Sequence, residues 1–146
     1  MARRLLVPAV AALALVLGGC GGEETTGREG ADRTNGKELF LSGADGNPSC
    51  ASCHSLADAG TVAQVGPDLD QALGYSCEQG FAESTRFDVV LRQIDLARGA
   101  MPPDVVTGQD AVDVAAYVAS VAGATVEGCE PSGGGGAGTT TAETSG

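Results

Sequence analysis

An all-α domain of roughly 100 residues, its long connections gathered around a central object, is the fold this sequence predicts. Three observations lead there. Apolar residues in the second half recur at helical spacing, with Phe87, Val90, Leu91 and Ile94 at i, i+3, i+4 and i+7. No run alternates in the manner of a strand. Trp is absent and only 5 of 146 residues are Phe or Tyr, against 23 Gly. That is a thin supply of large side chains, so something other than the chain must fill part of the core.

The two ends lie outside this domain. Met1-Ala2-Arg3-Arg4 followed by an apolar run of 13 residues, Leu5 to Leu17, reads as a signal peptide over residues 1–19. The run is shorter than the ~20 residues a helix needs to span a bilayer. Leu17-Gly18-Gly19-Cys20 resembles the lipobox of bacterial lipoproteins. That resemblance implies export, lipid modification of Cys20 and anchoring on the extracytoplasmic face of a bacterial membrane without crossing it. Residues 20–33, rich in Gly, Glu and Thr, read as a flexible linker with an rms span of roughly 20 Å. Residues 131–146, with four consecutive glycines and a Thr-rich stretch, read as a disordered tail. The folded domain is assigned to residues 34–130.

The chain carries 19 acidic and 8 basic residues, a formal charge of −11. Signal cleavage would leave 6 basic residues against the same 19, a charge of −13. Nucleic acid is excluded as a partner on this balance.

Within the domain, Asn35-Gly36-Lys37-Glu38 has capping-box spacing, which predicts a short helix starting at Asn35 and ending by Gly43. Gly66-Pro67-Asp68-Leu69 is a turn signal, and the polar, Gly-containing stretch up to Gly80 reads as a loop wrapped around something. Ser84 or Thr85 opens the next helix, which Gly99 stops. Pro102 and Pro103 then hold Met101 in an extended, stiffened loop. Thr107 caps a final helix, with Asp110 at the capping-box position and Val114, Tyr117, Val118 and Val121 as its apolar stripe.

Cys50-Ala51-Ser52-Cys53-His54 matches C-x-x-C-H, the attachment motif of c-type haem. Two intervening residues let both thiols reach the vinyl groups on one porphyrin edge, and the adjacent imidazole meets the iron. His54 is the sole histidine, and Met101 is the sole methionine beyond Met1, so the available iron ligands are these two. Other readings compete. A thioredoxin-like redox pair needs a βαβ pattern, which is missing around Cys50. A zinc centre built from Cys50, Cys53, Cys77 and Cys129 leaves the Cys53-His54 adjacency without purpose. Met101 as core packing is the alternative to Met101 as ligand.

Over about residues 34–123 the sequence resembles a class I cytochrome c, a small monohaem domain with His/Met ligation. The fold so implied is a cytochrome c-like helical domain wrapped around one covalently attached haem c. By this resemblance the Pro67 carbonyl accepts the Nδ1 hydrogen of His54 and fixes the ring. Gly36 and Phe40 match the first-helix pair that packs across the last helix, against Val114 and Tyr117. Met101 in Gly99-Ala100-Met101-Pro102 occupies the position of the sixth ligand. Cys77 and Cys129 depart from the family pattern. They are either free thiols or a disulfide closing a loop of about 50 residues, worth roughly 4 kcal/mol.

With six ligands the iron has no open position, which argues against an enzyme and for outer-sphere electron transfer. The resemblance implies a monomeric carrier of single electrons between respiratory components, with a quinol-oxidising complex as donor and a terminal oxidase as acceptor. A fixed haem subunit of an oxidoreductase complex is the second expectation. A haem sensor or enzyme with displaceable Met101 is the third, weakened because no second histidine can serve as a distal base.

Overall fold

The computed structural model describes residues 29–133. The expected signal peptide, Cys20 and residues 134–146 lie outside the described residues. Four helices carry the domain: α1 (Arg33–Ser42), α2 (Leu69–Glu78), α3 (Glu83–Leu96) and α4 (Gly108–Val121). Between α1 and α2 run a 3-10 turn (Cys50–Ser52) and two short antiparallel strands, β1 (Ser55–Leu56) and β2 (Thr61–Val62), with Ser55 facing Val62 and Leu56 facing Thr61. The all-α expectation holds for the architecture. A ladder two residues long is too short to show as sequence alternation. Among the described residues no helix is long and apolar enough to cross a membrane.

Helix α1 starts at Arg33 because Asp32, not Asn35, is its cap: the Asp32 carboxylate accepts from the Thr34 and Asn35 amides. The Asn35 side chain has another use. Its Nδ2 donates to Asp113 Oδ2 at 2.8 Å, while Asp113 Oδ1 accepts from the Asp32 amide at 3.0 Å and Gln109 Nε2 at 2.8 Å. One buried carboxylate on α4 thus clamps the start of α1. Burial alone would raise its pKa, but the donors from Asn35, Asp32 and Gln109 prevail and hold it below the usual value.

The loop expected between Leu69 and Gly80 is instead helix α2, capped by Asp68, whose side chain accepts from the Gln71 amide. Gly74 and Ser76 weaken the helical signal there, yet Gly74 is needed: a Cβ at this position would overlap the Val126 side chain. Cys77 and Cys129 are joined by a disulfide with Cα atoms 5.3 Å apart, which ties the end of α2 to the segment after α4. Helix α3 ends at Leu96, before Gly99, because Ala97 already takes the left-handed conformation and caps it through its amide to the Gln93 carbonyl. At Thr107 the structure shows no side-chain cap bond, although α4 begins at the next residue as expected.

Helix α4 is the spine, buried almost all round. Val114, Tyr117, Val118 and Val121 are buried as the stripe predicts, and Ala115, Ala116 and Ala119 are also buried, packed with Phe87 of α3. Small residues on that face let α3 approach closely. On the other face Phe40 packs edge-on to Tyr117 with ring centroids 5.9 Å apart. Gly36 sits directly against the Asp113 backbone and the Tyr117 Cβ, leaving no room for a methyl group.

Gly36→Ala should therefore destabilise the domain by about 3 kcal/mol, the upper range for overpacking where two helix backbones must separate. Chemical denaturation of the haem-loaded protein checks this, and a change within error of zero would show that the crossing relaxes freely.

Candidate haem site

The helices leave an apolar cleft of about 610 Å³ at the centre of the domain. Its walls include Phe40 from α1, Leu69 and Leu73 from α2, Val90 and Ile94 from α3, and Val114 and Val118 from α4. Cys50, Cys53, His54, Pro67 and Met101 all line this one cleft, so the structure brings together every residue that sequence reasoning placed at the site. Cys77 and Cys129 are bonded to each other rather than gathered with Cys50 and Cys53, which removes the four-thiol zinc arrangement.

The attachment motif is shaped by a tight turn. The Cys53 and His54 amides both donate to the Cys50 carbonyl, at 3.1 and 2.9 Å, which gathers two thiols and an imidazole within one compact turn. Neither cysteine is in a disulfide, and both are half-buried. Burial pushes the Cys50 thiol up to about 11; its backbone hydrogen bond opposes this and the neighbouring Cys53 adds to it.

His54 is held on three sides. Its Nδ1 lies 2.9 Å from the Pro67 carbonyl oxygen, an acceptor, so Nδ1 carries the hydrogen and Nε2 keeps its lone pair. Gly66 lies flat against the ring, where an added Cβ would come within 2.5 to 2.9 Å of three ring atoms, and its amide donates to the Cys53 carbonyl at 2.7 Å. Thr61 Oγ1 donates to the His54 carbonyl at 3.0 Å and accepts from the Leu56 amide at 2.9 Å. The sequence reading treated Gly66 as part of a turn and passed over Thr61, seven residues from the ring, because neither carries a local signal for this role.

Close by, Tyr117 donates its hydroxyl to Asp58 Oδ1 at 2.7 Å, and Lys37 Nζ reaches the same oxygen at 2.8 Å while lying 5.7 Å from the Tyr117 ring centroid. Burial opposes ionisation of Asp58, but the Lys37 and Tyr117 hydrogen bonds prevail and lower its pKa. Tyr117 is pushed well above the usual phenol range, first by burial and then by the Asp58 bond and charge. The phenol stays neutral, and its place is in the core between α1 and α4.

Residues and cleft fit a covalently attached haem. A flat apolar macrocycle needs an apolar slot, two thiols within reach and donors for its iron; Cys50 and Cys53 offer the thiols, and the His54 imidazole and Met101 thioether line the same cleft and could hold the iron. Bound there, haem supplies reversible one-electron exchange at its iron. The chain's part is to orient the imidazole, present the thioether and exclude water.

Comparison with known proteins agrees. The family model described as cytochrome c matches residues 34–122. Among solved structures, the c-type cytochrome SorU from Sinorhizobium meliloti is similar, at 33% identity over 62% of this chain and 91% of that one, with a TM-score of 0.48. A search of curated proteins found no match. The family match covers almost the whole described domain and contains both thiols at the cleft. The chain accordingly belongs to the cytochrome c family of haem electron carriers, with haem c attached through Cys50 and Cys53.

Proposed function

We propose that this is a class I cytochrome c with His54 and Met101 as axial ligands, acting as a membrane-tethered, extracytoplasmic single-electron carrier and not as an enzyme. The observation that carries the reading is that His54 and Met101 line one cleft. Each is the only residue of its type within the domain. Thioether ligation favours the ferrous state and raises the potential, and a filled sixth position leaves substrate no place on the iron. Haem held by these residues would exchange single electrons with a partner without a bond forming at its iron.

The lipobox-like Leu17-Gly18-Gly19-Cys20 supports a lipid anchor at Cys20, and the linker after it lets the domain sample donors and acceptors within the membrane plane. A quinol-oxidising complex as donor and a terminal oxidase as acceptor fit a carrier so placed, working as a monomer. A charge of −13 on the mature chain favours a partner with a basic docking face.

A visible spectrum of the haem-matured protein should show a low-spin species with the weak Met-to-iron band in the far red. Met101→Ala should lose that band, lower the potential and keep the haem covalently bound; a Met101→Ala protein with the unchanged band would remove Met101 as ligand. Cys20→Ser should shift the protein from the membrane fraction to the soluble extracytoplasmic fraction, as read by fractionation; retention at the membrane would argue against the lipid anchor. Stopped-flow reduction of the acceptor should slow as ionic strength rises, and a flat response would point to apolar docking.

A further inference from the structure

We propose that Asp70 is a positioning residue for the His54 ligand, and that its buried negative charge holds the haem's reduction potential down. The inference rests on the reading of His54 as an iron ligand. Asp70 is the second residue of α2 and is 2% exposed. It is not needed to cap the helix, because Asp68 does that.

Its carboxylate serves two other segments instead. Oδ2 accepts from the Ala57 amide at 2.7 Å, and Oδ1 accepts from the Gly123 amide at 2.9 Å. Ala57 lies three residues after His54 and directly follows β1; Gly123 lies just beyond α4. Asp70 itself is three residues after Pro67, whose carbonyl orients the ring. One side chain thus fixes the chain on both sides of the His54–Pro67 hydrogen bond and anchors both to the spine of the fold. A displacement of a few tenths of an ångström here reaches the imidazole through backbone bonds alone.

The charge has a separate effect. Among the described residues the two ion pairs are Arg33–Glu83 and Lys37–Asp58, and neither includes Asp70. Its hydrogen-bond partners are neutral amides, which stabilise a carboxylate without cancelling its charge. In a low-dielectric interior, an uncancelled negative charge favours the more positive of two states of a neighbouring group, here ferric over ferrous. An uncharged residue of the same shape removes that bias.

The experiment is a redox titration of the full-length, haem-loaded protein and its Asp70→Asn variant, with ferric NMR spectra of both. Asp70→Asn should raise the ferrous-to-ferric ratio at least tenfold at fixed ambient potential, equivalent to about 59 mV for one electron. The hyperfine-shifted His54 ring resonances should move with it. A brace with only a structural role would lower stability and leave the potential where it was. A coloured, low-spin Asp70→Asn protein with wild-type potential and unmoved His54 resonances overturns the proposal. A wild-type protein lacking a His-ligated spectrum overturns the ligand reading beneath it, and the two failures are therefore distinct. Amide hydrogen exchange on the wild type needs no variant. The Ala57 and Gly123 amides should exchange only through global unfolding, and faster exchange of either through local opening overturns the positioning role.

Discussion

The centre of this domain is a cleft of about 610 Å³ that its own side chains do not fill. The helices therefore do not specify a closed core by themselves. They specify the walls of a slot, and the flat cofactor attached through Cys50 and Cys53 supplies the missing apolar volume. Covalent attachment suits such a design, because the group that completes the core cannot then dissociate. The shortage of aromatic side chains, the open cleft and the two thiols are three aspects of one constraint.

That constraint explains how the rest is braced. Helix α4 is buried on nearly every side because α1, α3 and the cleft each take one of its faces. Close approach of α1 depends on Gly36, and the clamp on its first turn depends on Asp113. Helix α2 contributes little to the main core, so it is held by other means: the Asp70 carboxylate near its start, Gly74 against Val126 in its middle and the Cys77–Cys129 bond near its end. All three fasten it to residues 123–129, just after α4. The departure from the family pattern at Cys77 and Cys129 thus stabilises the element whose first turn follows the ring-orienting Pro67.

What the sequence revealed and what it concealed divide along the range of the interactions. The haem motif and the α3 and α4 stripes depend on spacings within a few residues and could be read directly, while the Gly36–Phe40 pair followed from the family resemblance. Asn35 illustrates the failure. Its spacing to Glu38 is that of a capping box, but Asp32 outcompetes it and the Asn35 amide goes to Asp113, 78 residues away. Helix α2 was hidden because Gly74 and Ser76 are poor helix formers, and packing against residues 123–129 overrides propensity. The roles of Thr61 and Asp70 lie in hydrogen bonds to backbone groups that no periodicity announces. Whether Cys77 and Cys129 were bonded or free was open for the same reason, since 52 positions separate them.

The two walls of the cleft are not equally firm. On the His54 side the chain is held by bonds of 2.7 to 3.0 Å from Gly66, Pro67, Thr61 and Asp70, by two points of haem attachment and by the disulfide behind α2. On the Met101 side the loop turns through Gly99 and Asp104, both at positive φ. It is tied across by Asn47 Nδ2, which donates to the Asp104 and Val105 carbonyls at 3.4 and 3.3 Å. Those are long hydrogen bonds, and weaker for it. Pro102 and Pro103 compensate by limiting the conformations the loop can reach, and the buried Val105 and Val106 anchor its far end in the core. Under the proposed His54/Met101 ligation, any loosening of the site begins at the thioether, while the imidazole stays in register with the iron.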